Sequence, residues 1–169
     1  MARIIMVTGG QRSGKSVFAE KLTLSLSDAP TYIATAQVRD EEFRRRVDVH
    51  KRRRGPQWSV VEDALHPSRS LEEGCVALLD CLTMLASNHF FACSENVEQA
   101  YGQTVAEVDS ILKKTSRIVV VTNEIGLGGV SGNEMTRKYT DLLGLVNQHV
   151  AAQADEVFFV VSGIPMKIK

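Results

Sequence analysis

The sequence is short of cysteine, of aromatic residues, of excess charge of either sign and of long apolar runs. Cys75, Cys81 and Cys93 are its three cysteines. Their odd number and lack of C-x-x-C spacing argue against a disulfide framework or a zinc site, and predict reduced, buried thiols. Twenty basic residues balance twenty acidic ones, so no global field draws the chain to nucleic acid or to a membrane. Aromatic residues make up only 6%, which leaves few candidates for stacking on bases. No apolar run is long enough to span a bilayer. The opening MARIIMVTGG lacks an apolar h-region followed by a cleavage site; it reads as a core strand and predicts a cytoplasmic protein. No internal repeat, low-complexity tract or linker is evident.

What is present is an ordinary globular composition. Over 169 residues, 44% are apolar and 24% charged, enough for one domain, 1–169, with a sizeable core. Strand-like and helix-like segments alternate. Strands are predicted at Ile4–Thr8, Thr31–Thr35, Trp58–Glu62, Cys75–Cys81, Arg117–Thr122 and Glu156–Val161. Helices are predicted at Lys15–Ser27, Arg39–Arg54, Val97–Lys114 and Met135–Ala154, and the tail Pro165–Lys169 reads as an antiparallel edge strand. Continuous apolar strands separated by helices predict an α/β fold: a mostly parallel sheet covered on both faces, in three layers.

The first strand runs into Gly9-Gly10-Gln11-Arg12-Ser13-Gly14-Lys15-Ser16, which fits the phosphate-loop pattern G-x-x-x-x-G-K-[ST] in its required strand–loop–helix setting. Glycines let backbone N–H groups curl around phosphate oxygens, and the following helix points its positive dipole end at the same anion. In such a loop Lys15 reaches the β- and γ-phosphates and the Ser16 hydroxyl binds Mg²⁺.

A phosphate loop is usually partnered by an acid at the end of an apolar strand. Two strands here qualify, one ending in Asp80 and the other running on to Glu124. Asp80 is the first choice for the Mg²⁺ shell, directly or through water. Glu124 is open to three roles: a second metal contact, a general base, or a group that positions the attacking hydroxyl. Either acid could instead cap a turn. The run Gly126–Gly132 is too glycine-rich for a helix or strand, and reads as a mobile loop, either a lid or substrate contact or an inert connection.

The segment 39–54 holds eight basic residues against four acids. A solvated, salt-bridged face is the usual meaning of such a run. Arg46, His50 and Arg54, however, are four apart and share one helix face, beside Phe43 and Val47. An imidazole of ordinary pKa about 6.5 is largely neutral and nucleophilic near neutral pH, and flanking guanidinium groups lower that pKa and bind phosphates. His50 is thus a candidate for nucleophilic or acid–base chemistry.

Taken in order, VTGGQRSGKS (Val7–Ser16), YIAT (Tyr32–Thr35), the R-V-x-x-H-K-x-x-R stretch (Arg46–Arg54), Trp58, Glu62, LLDCLT (Leu78–Thr83), VTNEIGLG (Val121–Gly128) and the closing VVSGIPMKIK resemble the bifunctional adenosylcobinamide kinase / adenosylcobinamide-phosphate guanylyltransferase family of cobalamin biosynthesis. The phosphate loop alone is widely shared; VTNEIGLG, the His50 segment and the SGIP ending are more specific. The resemblance implies a phosphate-loop (RecA-like) fold and two reactions. ATP or GTP phosphorylates the aminopropanol hydroxyl of adenosylcobinamide. GMP then passes from GTP to that phosphate through a guanylyl–histidine, which maps onto His50, with release of pyrophosphate. It further implies that Ala34, Thr35, Lys51, Arg52, Arg53, Arg54, Glu62 and Asp80 surround the guanine nucleotide, and that the chain forms a homotrimer. Two departures stand out. Val49 precedes His50 where some relatives carry a second histidine, and position 80 is Asp where some relatives have Glu, which shortens the reach to metal and favours water-mediated contact.

Two other classes compete with this reading. A monofunctional small-molecule kinase would keep Lys15, Ser16 and Asp80 without needing a histidine nucleophile. A nucleic-acid motor or binding module would use the basic segment on phosphates, but the neutral net charge and short chain speak against it.

Overall fold

The computed structural model describes residues 2–37, 41 and 55–169. Apart from Glu41, the predicted helix at 39–54, with Arg46, His50 and Lys51 to Arg54, therefore lies outside the described residues. In chain order the elements are β1 (Arg3–Gly9), α1 (Lys15–Leu26), β2 (Thr31–Ala34), β3 (Ser59–Glu62), β4 (Cys75–Asp80), α2 (Leu82–Ala92), α3 (Val97–Lys114), β5 (Thr115–Val121), α4 (Glu134–Gln153), β6 (Glu156–Val161) and β7 (Ile164–Lys167). Short 3₁₀ turns occupy Pro67–Ser70 and Gly126–Gly128, so the glycine-rich segment, expected to be loop throughout, begins with a turn.

The strands form one seven-stranded sheet in the order β3-β2-β4-β5-β1-β6-β7. Every pairing is parallel except β6 with β7, an antiparallel hairpin at one edge. Period-two alternation sends neighbouring residues of a buried strand to opposite layers. Ile4 and Met6 of β1, Ala77 and Leu79 of β4, and Ile118 and Val120 of β5 pack with Leu85 and Phe90 of α2, Val108 and Ile111 of α3, and Leu142 and Val146 of α4. Ile5, Val7, Leu78, Val119 and Val121 face the other way, against Ala19, Phe18 and Leu22 of α1 and against Tyr32 and Trp58. Helices cover both faces, and the expected three-layer α/β architecture is what the chain adopts.

Helix α2 was not expected. Its sequence, LTMLASNHFFA, buries Leu82, Thr83, Leu85, Ala86, Asn88, His89 and Phe90, so apolar and polar residues alike face the interior and no amphipathic stripe marks it. The cysteine expectation needs correction as well. All three are free thiols; Cys93 is buried, Cys75 is partly exposed, and Cys81 is partly exposed as a residue although its thiol is enclosed. Cys75 opens β4 and Cys81 lies just past its other end, so both sit at the rims of the sheet.

Candidate active site at the carboxyl ends of the strands

Sheet register sets the site. Glu62, the last residue of β3, pairs with Ala34 of β2; Ala34 pairs with Asp80 of β4, and Asp80 with Val121 of β5. Val121 in turn pairs with Val7 of β1, two residues before the phosphate loop begins. Residues scattered from 7 to 121 thus form one row at the carboxyl edge, where open α/β sheets bind ligands.

The loop leaves β1 through a tight passage. A Cβ on Gly9 would stand 2.6 Å from the Val160 carbonyl oxygen and 2.8 Å from Ser13 Oγ, so only glycine fits. Arg12 takes a left-handed conformation (φ 60°) at the exposed tip, and Gly14 (φ 92°) turns the chain into α1 as its N-cap. Ser13 N–H donates to Gly10 O at 3.3 Å, and the Lys15 ammonium donates to the same carbonyl at 3.0 Å. Partial burial lowers the Lys15 pKa, while the Asp80 carboxylate acts in the opposite direction. An anion settling here would restore what burial takes from that ammonium. The hydroxyls of Thr8 and Ser13 are enclosed without hydrogen-bond partners among the described residues.

Asp80 is held by the Tyr32 hydroxyl, which donates to Oδ2 at 2.6 Å. Burial and the Asp80 charge push the Cys81 thiol up to about 12, so it stays neutral beside the loop. Thr35 is fully buried. Its hydroxyl donates to Cys81 O at 2.8 Å and accepts from Cys81 N–H at 3.1 Å, which ties the end of β2 to the end of β4. The Thr35 hydroxyl is thus spent on the scaffold rather than offered to a ligand. Ala34 and Glu62 lie on the strand-end row, Glu62 exposed.

Glu124 reaches the same edge from β5. Its N–H donates to Gly9 O at 3.1 Å, which fastens the acid's backbone to the root of the phosphate loop, and its Oε1 accepts from Gly126 N–H at 3.1 Å. Beneath it runs a buried polar network. Thr122 Oγ1 donates to Asn147 Oδ1 at 2.7 Å, and Asn147 Nδ2 donates to Asn123 O at 3.1 Å. Asn123 N–H donates to Thr83 Oγ1 at 2.8 Å, and the Tyr139 hydroxyl donates to Thr83 O at 2.7 Å. Burial raises the Tyr139 pKa and keeps that hydroxyl a donor.

The structure therefore brings together Gly9, Gly10, Gln11, Arg12, Ser13, Gly14, Lys15, Ser16, Ala34, Glu62, Asp80 and Glu124 from the sequence reading. Tyr32, Thr83, Tyr139 and Asn147 went unassigned there. Tyr32 lies 48 positions from its partner Asp80, and no local pattern signals such a pair.

A glycine-lined loop at a helix N-terminus, with an acid on a neighbouring strand end, defines a phosphate-loop nucleotide-binding protein of the α/β class. The chain belongs to the cobinamide kinase / cobinamide phosphate guanyltransferase family, whose model matches residues 5–168. It is 38% identical to the bifunctional adenosylcobalamin biosynthesis protein CobU of Escherichia coli (98% of this chain, 99% of that one). To the bifunctional adenosylcobalamin biosynthesis protein CobP of Pseudomonas aeruginosa it is 37% identical (97% and 96%). Among solved structures it is similar to the flagellar accessory protein FlaH of Methanocaldococcus jannaschii, with a TM-score of 0.46 and 14% identity over 99% of this chain and 78% of that one.

Proposed function

We propose that this chain, as a single nucleotide-binding domain, phosphorylates adenosylcobinamide with ATP or GTP. It then transfers GMP from GTP to the product, giving adenosylcobinamide-GDP and pyrophosphate. The observation that carries this is the convergence of the phosphate loop, Asp80 and Glu124 on one sheet edge in a chain that matches a bifunctional family along nearly its whole length.

In the kinase step the acceptor hydroxyl oxygen bonds to the γ-phosphorus as the bond to the departing diphosphate breaks. Glu124, fastened to the root of the loop, orients that hydroxyl and takes its proton. Lys15 and the loop N–H groups hold charge on the phosphate oxygens. In the transferase step His50 attacks the α-phosphorus, the bond to pyrophosphate breaks, and the acceptor phosphate then displaces the imidazole. Arg46, Lys51, Arg52, Arg53 and Arg54 neutralise the phosphates being exchanged. Ala34, Glu62 and the Thr35 backbone border the guanine nucleotide.

Mg²⁺ suits the donor set: a Ser16 hydroxyl and an Asp80 carboxylate are hard oxygen ligands. Such an ion would be held by one carboxylate together with substrate phosphates. Bound there, it would neutralise charge on the transferring and leaving groups. By the same family likeness the chain works in the cytoplasm as a homotrimer.

Incubation with α-labelled GTP and Mg²⁺, followed by a denaturing gel, tests the transferase half. Acid-labile label on the protein, absent in His50→Ala, is expected; an unlabelled parent protein sinks the guanylyl–histidine and leaves a kinase alone. Transfer of γ-label to cobinamide tests the other half.

A further inference from the structure

The closing hairpin, far from the loop in sequence, lies directly on it. Strands β6 and β7 pair Val161 with Ile164, leaving Ser162 and Gly163 as a two-residue turn. Both have positive φ, 50° and 82°, the signature of a type I′ hairpin turn. From this turn Gly163 N–H donates to Ser13 O at 2.8 Å. The approach is close: a Cβ on Gly14 would lie 3.1 Å from Gly163 Cα, and one on Gly9 would meet the Val160 carbonyl. Gly14 is therefore glycine for two reasons, its φ of 92° and the room the hairpin needs.

We infer that the Ser162–Gly163 turn is a positioning element of the phosphate loop, setting the direction of the Gly14 N–H through its hold on the Ser13 carbonyl. The peptide between Ser13 and Gly14 is a rigid plane whose C=O and N–H point to opposite sides when trans, and the single cis bond among the described residues is elsewhere. A carbonyl drawn to Gly163 turns the Gly14 N–H away from the hairpin, toward the side of the loop addressed by the N-terminus of α1. That is the side where a phosphate would sit. Without the clamp the plane could rotate and present a carbonyl oxygen to the anion. The hairpin thus fixes a dipole before the nucleotide arrives. By reciprocity of coupled equilibria, a nucleotide that gains from the clamp must also strengthen it.

The inference rests on the loop being the nucleotide site, and the experiment separates the two. Affinity for a non-hydrolysable GTP analogue is measured by calorimetry for the parent chain, Gly163→Val and Gly163→Asn, with the thermal midpoint of each ligand-free protein recorded alongside. A β-branched residue resists positive φ and displaces the turn, whereas asparagine tolerates it and keeps the N–H donor. Gly163→Val should weaken binding about tenfold, the worth of one well-placed hydrogen bond, and Gly163→Asn should recover most of the loss. Equal affinity in Gly163→Val and the parent, or equal loss in both variants, overturns the clamp while leaving the site intact. A parent chain that binds no nucleotide overturns the site and the clamp with it. Should Gly163→Val fail to fold, amide exchange in the unaltered protein decides. Nucleotide is expected to slow exchange at Gly163 N–H, and unchanged exchange refutes the coupling.

Discussion

His89 takes no part in the proposed chemistry, yet it is 1% exposed in the middle of α2. Its Nδ1 lies 3.3 Å from Gln103 Oε1, while its enclosed Nε2 has no hydrogen-bond partner among the described residues. The His66 ring packs edge-on at 5.8 Å, and His66 Nδ1 lies 3.5 Å from Glu107 Oε2. Burial lowers the His89 pKa below its ordinary 6.5, and the neighbouring His66 adds to this; Gln103 and Glu107 work against it. The unfolded chain therefore takes up a proton below about pH 6.5 that the folded protein resists, so stability falls as pH drops through that window and is retained above it. Thermal midpoints measured from pH 7.5 to 5 should decline for the parent and less steeply for His89→Phe; parallel curves would contradict the assignment. None of this was legible in the sequence, where His89 is one more residue in an apolar run.

Among the elements, the segment after β5 carries the most consequence. Thr122 and Asn123 are locked by Asn147 and Thr83 from two helices on one face of the sheet, and Glu124 follows directly, its own N–H held by Gly9 O. Asn147→Leu would strand the Asn123 carbonyl and leave the Thr122 hydroxyl only its 3.3 Å contact with Thr83 Oγ1. The loss should be about 2 kcal/mol, read from urea unfolding, and nucleotide affinity should drop with it as Glu124 loses its footing. The stretch that follows is pinned at both ends, by Glu124 on Gly126 and by Arg137 Nη1 on Ser131 O and Gly132 O, each at 2.9 Å. Between these anchors Leu127 and Val130 stand 76% and 90% exposed. Apolar side chains held out beside a phosphate site suit the methyl-rich body of a corrinoid acceptor. Replacing both with serine should raise the KM for cobinamide on the order of tenfold and leave the nucleotide KM unchanged; a shift in the nucleotide KM alone would count against this contact. The glycines marked the segment as a loop by composition; the residues that pin it, Glu124 and Arg137, lie just beyond its two ends in the chain.

At the scale of the whole molecule, the parallel sheet ends in a hairpin whose outer strand is exposed throughout. Ile164 and Met166 share one face of it, with Ile168 one residue past its end; they are 65%, 46% and 63% exposed. An apolar edge of this kind is a ready surface for another chain. If the protein self-associates as its family likeness implies, Ile164→Lys combined with Ile168→Lys should lower the mass seen by sedimentation velocity; an unaltered mass would place the contact elsewhere. The sequence by itself determined where the phosphate loop lies, because its eight residues are contiguous between a strand and a helix. It determined the strand–helix alternation and the buried sheet as well, because apolar periodicity is local. Tertiary structure alone decided which strand ends meet. Sheet register set Glu62, Ala34 and Asp80 in one row, the Tyr32 hydroxyl found Asp80, and the final hairpin came to rest on Ser13. Each of those contacts joins residues far apart in the chain, and their pairing depends on how the layers close rather than on any neighbouring residue.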